Sequence, residues 1–424
     1  MKKIILVIQF LLFSGLIWNP NQLRAQDSVL YNLQDCYRLA LKRSETIAIK
    51  KEIIKEAEGH FLQSFSGVMP DLTFSYSDKR QHGPGDSNFS LNEVPEAKLS
   101  FSQNLFAGFK EFASIAVGGA EKRRRRQDEI RAKQLLFTDV SDAFYLFLNY
   151  QEEIKVMNNV AAALQERIDE LQKREQLGRS RPSEVASAEA RLSRLEADLE
   201  LLESQQEVSR QLLEFLTGES VEAVVDEEKE TEPLVSEQDY LAKADIRPDV
   251  RSAYEAWRAA LHQVTIAKAG FWPTVGLDGN YYTKRVGNAS NVDWDITFSV
   301  DVPISRGTED FGKVKIARAQ ENQAELLYQQ AKRNAALEIK NAYTRLKTTL
   351  NRTEALAKAL KASEKNFELQ LEDYRLNLVN NLEVLQALEG LEDARRDFIT
   401  VKNEAKRLYW DLRVAIGDIP YDTL

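Results

Sequence analysis

Apolar and polar positions along this chain follow two periods, and the switch between them happens at matching landmarks twice. From Lys110 to Gln176 there is no proline, and Leu, Ile, Val and Phe recur at helical spacing among charged residues. Unbroken helix over that span would run about 100 Å at ~1.5 Å per residue. It is expected to end at Leu177-Gly178, because glycine takes the left-handed C′ conformation without a Cβ penalty. Pro182 suits the first turn of a returning helix. Leu192, Leu195, Leu199 and Leu202 then fall in the spacing of a coiled-coil seam. Upstream, residues 33–66 predict a helix whose apolar face includes Leu39, Ala40, Ile47, Ile49, Ile53 and Ile54. Asn32 with Asp35 is its start signal and Pro70 its stop.

Between the helical stretches the period drops to two. Leu72, Phe74 and Tyr76 alternate with Thr73, Ser75 and Ser77. After a polar loop over 82–93, Ala97, Leu99 and Phe101 alternate with Lys98, Ser100 and Ser102. Each run predicts a strand with one apolar face.

The whole order then repeats. A helix is expected from Pro248 to Ala269, and a strand carries Val275, Leu277 and Tyr281. Past a polar turn at Gly287 to Asn291, Trp294, Ile296, Phe298, Val300 and Val302 alternate with Asp295, Thr297, Ser299 and Asp301. A second long helix runs from about Gly312 to Leu376 and a return helix from Leu382 to Ile416, ended by Gly417 and Pro420. Leu177-Gly178 recurs as Leu376-Asn377, asparagine being the next-best residue at C′. Glu184-Val185 recurs as Glu383-Val384, Gly108 as Gly307, and Gly67-Val68-Met69-Pro70 as Gly270-Phe271-Trp272-Pro273. The chain therefore divides into repeat 1 at 26–218, an acidic linker at 219–247, and repeat 2 at 248–424. The linker reads as exposed, with room for a short helix or strand beside the helical body. The 33–66 helix and the helix opened by Pro182 together match the length of 110–176, so the two are expected to stack end to end along it.

Composition narrows the function. Lys2-Lys3, the apolar run Ile4 to Trp18 and Leu23-Arg24-Ala25 read as a signal peptide over 1–25, the run being shorter than the ~20 residues that span a bilayer. The sole cysteine, Cys36, excludes an intrachain disulfide. A formal net charge of −9 argues against nucleic acid as a partner. His60, His82 and His262 have no metal-ligand spacing, and no phosphate loop or nucleophile elbow is present. No catalytic residue, cofactor or metal is expected, and the chain does not read as an enzyme.

Past the signal no apolar run is long enough for a transmembrane helix, which leaves a closed β-barrel as the one way to span a membrane. In that reading Leu72, Phe74, Tyr76, Leu99, Phe101, Trp294, Ile296, Phe298 and Val300 face lipid, and the Ser, Thr and Asp positions face water. Phe271, Trp272, Tyr281, Tyr282 and Trp294 resemble interfacial girdles; the other reading is a small soluble sheet with one solvated face. Four strands cannot close, and an open edge is not tolerated in lipid. Three chains would supply twelve, an even number within the observed range.

This order of helix, proline, strand pair and long hairpin, repeated once after a signal peptide, closely resembles the TolC-like outer membrane efflux protein family, the outer membrane factors. The residues that carry it are Gly67-Val68-Met69-Pro70, Ser102-Gln103-Asn104-Leu105-Phe106, Leu177-Gly178, Arg247-Pro248-Asp249-Val250, and Ala267-Lys268 with Phe271-Trp272-Pro273. The resemblance implies a mainly α fold with a membrane β-barrel. Long helical hairpins form a periplasmic α-barrel, and four strands per chain complete a trimeric 12-stranded outer membrane barrel. It implies a homotrimeric exit duct in a tripartite efflux or type I secretion system. Its hairpin tips, here Leu177, Gly178, Arg179, Leu376 and Asn377, would dock a periplasmic adaptor (membrane fusion protein) that joins an inner membrane pump or ABC transporter. A contact of Leu177 within its own turn is the alternative.

Glu383 and Asp373 are the candidate periplasmic gate, although Glu383 also stands three residues after Asn380 in a capping-box arrangement. Asn377 replaces the usual glycine, and Gln386 stands where a second acidic residue is expected, which implies a weaker charged constriction. Lys122 to Arg126 read as a solvated face or as a site for anionic head groups, and Gly118-Gly119 as a bend between strand and helix. The rival reading is a periplasmic structural coiled-coil or adaptor protein without a pore; two hairpins and two amphipathic strand pairs argue against it.

Overall fold

The computed structural model describes residues 30–82, 91–227, 233–287, 289–376 and 378–419. The signal segment and most of the polar loop before the second strand lie outside them. After a two-residue strand β1 (Leu30–Tyr31), the Asn32 side chain accepts the Asp35 amide at 2.8 Å and starts α1 (Leu33–Arg43). The single helix expected over 33–66 is broken at Ser44. Its N–H donates to the Ala40 carbonyl at 2.8 Å, and its hydroxyl accepts the Ile47 amide, starting α2 (Glu45–Ser64). Serine competes with the helical ladder for backbone partners, so one residue ends one helix and caps the next. A short 3₁₀ turn, Phe65–Gly67, leads to Pro70.

Strands β2 (Asp71–Arg80) and β3 (Glu93–Ala107) follow, β3 being longer than its apolar alternation suggests. The bend from strand into helix falls at Gly108-Phe109, with φ of 66° and 65°. Phe109 is the one described non-glycine residue with positive φ. A Cβ at Gly108 would stand 2.8 Å from the Cβ of Trp272, so only glycine allows the two repeats to approach there. Gly118 and Gly119, expected to supply the bend, instead sit inside unbroken helix. A Cβ at Gly118 would meet the Phe61 backbone at 3.2 Å; the glycine lets α2 lie close against its neighbour.

Helix α3 (Lys110–Gln176) has 67 residues, about 100 Å of continuous helix. Its return is α4 (Pro182–Thr217), with proline at the first turn as expected. The acidic linker contributes β4 (Ala223–Val224), which pairs parallel with β1, and a short helix α5 (Glu237–Leu241). Repeat 2 supplies α6 (Pro248–Lys268), β5 (Thr274–Lys284), β6 (Trp294–Asp301), α7 (Glu309–Arg375) and α8 (Asn381–Ala415). Helix α7 begins three residues before the expected Gly312 and also has 67 residues. Strand β6 stops at Asp301, so Val302 is not part of it.

The helices form one layer. Helices α2 and α4 share one flank of α3, while α6 and α8 both lie between α3 and α7. The short helices thus stack end to end along the long ones, as the matched lengths require. Beyond one end lies a four-stranded antiparallel sheet in the order β2-β3-β5-β6, with β2 and β6 as open edges. Among the described residues no helix is long and apolar enough to cross a membrane. Three apolar cores run along the helical layer. Phe137, Phe144 and Trp410 anchor the first, Leu164, Leu171 and Leu195 the one toward the hairpin tips, and Ile339 and Leu346 the third.

Candidate functional site

The sheet separates its side chains by chemistry. Register pairs Leu72 with Phe101, Phe74 with Leu99, Leu99 with Tyr281, Tyr281 with Trp294 and Leu277 with Phe298. Side chains alternate faces along a strand, so these residues, with Ile296 and Val300, share one face across all four strands. Leu72, Phe74, Tyr76, Leu99, Trp294, Ile296, Phe298 and Val300 are exposed there, and Phe101 is half-buried between its neighbours. Burying such a residue is worth about 1.5–3 kcal/mol, so a continuous apolar face left open is an unfinished surface.

The opposite face is hydrogen-bonded. Ser100 donates to Asn280 at 2.9 Å, Ser102 to Asp278 at 2.7 Å, and Asn280 and Tyr282 to Asp295 at 2.9 and 2.8 Å. Near the sheet's outer end Glu96 meets both Lys98 and Arg285.

Far from the sheet the two hairpins reverse. Gly178, at φ 67°, closes α3 with its N–H donating to Glu175 O at 2.8 Å, while the Arg179 N–H reaches Arg174 O at 2.8 Å. This is a Schellman closure. Arginines occupy the two positions that usually carry its apolar contact, so Leu177 gains nothing within the turn and is 70% exposed. In the second hairpin the Leu378 N–H reaches Asp373 O at 2.9 Å, the same closing bond. Leu376 is exposed there; Asn377 lies outside the described residues. Leu378 and Leu382 are exposed beside it. No periodic signal marks them as a surface in the sequence, since neither falls in the three-four spacing of the return helix's apolar seam.

Glu383 is engaged as a cap. Asn380 accepts the Leu382 and Glu383 amides, and the Glu383 carboxylate accepts the Asn380 N–H at 3.0 Å. Asp373 is half-buried, one residue before the buried Tyr374.

Polar contacts tie the two hairpins together above the tips. The Arg167 guanidinium lies 3.8 Å from the Tyr374 ring and donates to Asn381 at 3.0 Å. Arg191 on α4 meets Glu389 and Glu392 on α8 at 3.3 and 2.8 Å.

The basic run is a brace rather than a free face. Lys122 and Arg126 both reach Glu58 on α2, Arg123 reaches Glu255 on α6, and Arg124 and Arg125 meet Glu121. The hydrogen bond from Lys122, with its charge, holds the Glu58 carboxyl below the usual range. Five consecutive helical residues point all round the axis, and helices on both flanks of α3 offer carboxylates to them.

Arg247, the residue before α6, is fully buried. It donates to Ala415 O on α8 at 3.0 Å and meets Asp249 and Glu338 at 2.6 and 2.7 Å. In the seam between α3 and α8, burial and then Asp142 push the Asp411 carboxyl up to about 6. Among the described residues no cluster of His, Cys, Asp or Glu could hold a metal ion.

Comparison with known proteins agrees with this geometry. A family model described as outer membrane efflux protein matches residues 36–219 and 243–418, one stretch in each repeat. Outer membrane protein TolC of Vibrio cholerae is 22% identical over 409 residues, covering 92% of this chain and 91% of that protein. The outer membrane protein VceC of Vibrio cholerae superposes with a TM-score of 0.76 at 20% identity, over 91% of this chain and 96% of that one. The open-state MtrE outer membrane channel of Neisseria gonorrhoeae gives 0.76 at 18% identity, over 93% and 91%. A chain with two long hairpins on a four-stranded amphipathic sheet, matched by one model in both repeats, belongs to the outer membrane efflux protein family, whose members are outer membrane channels extending into the periplasm.

Proposed function

We propose that the chain works as a homotrimer, forming the passive outer membrane exit duct of a tripartite efflux or type I secretion assembly. The observation that carries this is the sheet. It has two open edges, one exposed apolar face and one hydrogen-bonded polar face. In lipid each unpaired edge group costs several kcal/mol, so edges β2 and β6 must meet other chains. Three copies close a barrel of twelve strands with the apolar face outward. Edge β2 belongs with α2 and edge β6 with α7, so the same closure sets the outer helices of neighbouring copies side by side.

The hairpin tips then stand about 100 Å from the strands. Leu177, Gly178 and Arg179, with Leu376 and Asn377, are the surface proposed to dock a periplasmic adaptor, which connects to an inner membrane pump or ABC transporter. The exposure of Leu177, Leu376, Leu378 and Leu382 supports this, since these leucines are left outside the core that packs the hairpins just above the tips. Glu383 and Asp373 remain the proposed gate, Glu383 while also capping α8.

Native mass measurement of detergent-extracted protein from outer membranes is expected to give three chains, and planar bilayers an ion conductance. A monodisperse monomer without conductance would sink the duct. For the tips, Gly178→Val forces a β-branched residue into left-handed backbone, and Leu177→Asp removes the exposed leucine. Both variants should assemble and lose adaptor cross-linking; full cross-linking by either at normal outer membrane levels refutes the docking surface.

A further inference from the structure

Where the sheet meets the helices, residues of both repeats line an open cleft of about 580 Å³. That is within the range of small-molecule sites. Its floor includes Ala107 and Thr274, which pair with each other one step beyond the apolar pair Phe106 and Val275. Thr274 shares its face with Asp278, while the Trp272 ring packs on Phe106 of the apolar face, so the cleft lies at the rim of the sheet where strand passes into helix. On the duct reading proposed above, that rim is the neck between the stranded and helical parts.

The charged lining consists of Lys110, Arg306, Lys313 and Asp310, three cations against one carboxylate. Asp310 is 5% exposed and sits directly over Gly270, where an added Cβ would stand 2.3 Å from its Oδ1. It is thus set into the wall, with Lys313 at 3.9 Å; Lys313 also pairs with Glu309 at 2.5 Å. Neither Lys110 nor Arg306 forms an ion pair among the described residues. The apolar part of the lining is Trp272, Ile266 and Ile316. The Trp272 ring is held edge-on by Phe106 and Phe109, at 6.4 and 6.1 Å between centroids. Phe109 itself is fixed in left-handed backbone beside Lys110. Lys110, with no ion pair within 4 Å, and Arg306, whose charge is only partly met at longer range by Glu309, stand beside an indole and two isoleucines and fit a ligand with an anionic head and a flat apolar body.

We propose that this cleft binds small organic anions of that class, aromatic sulfonates or carboxylates, as a resting place for cargo at the neck between the helical and stranded parts of the duct. The inference rests on the duct reading for its place at the neck. Binding itself does not, because one chain lines the whole cleft.

The test is equilibrium dialysis of the full-length protein in nanodiscs of neutral phospholipid, against naphthalene-1-sulfonate, the uncharged 1-naphthalenemethanol and the cationic 1-naphthylmethylammonium. The sulfonate should be retained above the empty-disc background at a ratio approaching one per chain, and the ammonium should not. Lys110→Gln with Arg306→Gln should weaken sulfonate retention by roughly tenfold or more, as expected for losing charge-assisted contacts. Lys110→Arg with Arg306→Lys should keep it. Equal retention of sulfonate and ammonium by the unaltered protein overturns the proposal, and that comparison needs no variant to fold. Unchanged binding by the glutamine pair overturns it as well. A conducting trimer that retains no sulfonate removes the cleft and leaves the duct standing; retention by protein that forms no conducting trimer supports the cleft and sinks the duct.

Discussion

The proposed lipid face can be tested at two adjacent residues. Phe298 stands on the apolar face opposite Leu277, while Thr297 stands on the polar face opposite Asp278. Phe298 is 63% exposed. A lysine at the bilayer midplane on the lipid side costs about 2–4 kcal/mol per chain, and a closed trimer carries that cost three times, roughly 6–12 kcal/mol. Since 1.4 kcal/mol is tenfold in an equilibrium, Phe298→Lys should abolish assembled trimer. Thr297→Lys adds the same charge one residue away, faces water, and gains a carboxylate opposite; it should assemble at near-normal levels. Ser299 would be a poorer control, because its Oγ lies over Gly276, where an added Cβ would stand only 2.9 Å from it. The assay is heat-modifiable trimer in washed outer membranes, measured by gel shift beside total protein. Phe298→Lys trimer at the level of Thr297→Lys would show that the face has been assigned the wrong way round.

Other outcomes follow from the same structure. Asn380→Ala removes an acceptor of two amides at the start of α8 and should cost about 1 kcal/mol, seen as faster hydrogen exchange confined to residues 381–385. Arg247→Met should cost about 3 kcal/mol, the low end for a broken buried pair because Glu338 is half exposed; a thermal midpoint equal to the parent protein's would refute its bracing role. Asp411, facing Asp142 on α3, Arg407 on its own helix and Arg345 on α7, has a folded pKa of about 6 against an ordinary 3.8. A raised carboxyl penalises the folded state when ionised, and the penalty is relieved as pH falls from about 6 toward 3.8. Asp411→Asn should therefore melt higher than the parent at pH 8 and lose that advantage by pH 4; a pH-independent difference would count against the buried ionised carboxyl.

Much of this was legible in the chain because the signals are local. The stop at Leu177-Gly178, the start at Pro182 and the cap at Asn32 each depend on residues within one helical turn, and all three stand in the structure. The strand faces were legible because alternation is itself local. The failures came from neighbours distant in sequence. Gly118 reads as a weak helix position until Phe61 is seen lying across it. Lys122 to Arg126 read as solvated until Glu58 and Glu255 arrive from other helices. Arg247 carried no periodic signal, since its partners come from Asp249, Glu338 and the end of α8. Ser44 could have been suspected, because Glu45 follows it within a run otherwise rich in helix formers.

The acidic linker acquires a reason from the way the short helices stack. Each stack leaves a joint: α4 ends at Gly218 against Arg43 at the end of α1, and α8 ends at Gly417 against Arg247 before α6. A joint exposes helix-end amides and carbonyls that need partners. At the first joint Val221 and Val224 are buried with Leu33, Tyr37 and Val414, and the β1–β4 pair ties the incoming chain to the outgoing one. At the second, Arg247 takes the Ala415 carbonyl, Gln134 donates to Gly417 O at 2.9 Å, and Ala244 packs against Leu412 and Ile416. Helices α3 and α7 run unbroken past both joints. The layer is therefore continuous where its short members are interrupted, and the small elements between the repeats are packed where the interruptions fall. Among the described linker residues Glu219, Glu222 and Glu227 stay exposed, while Val221, Val224 and Ala244 are buried and close the joints.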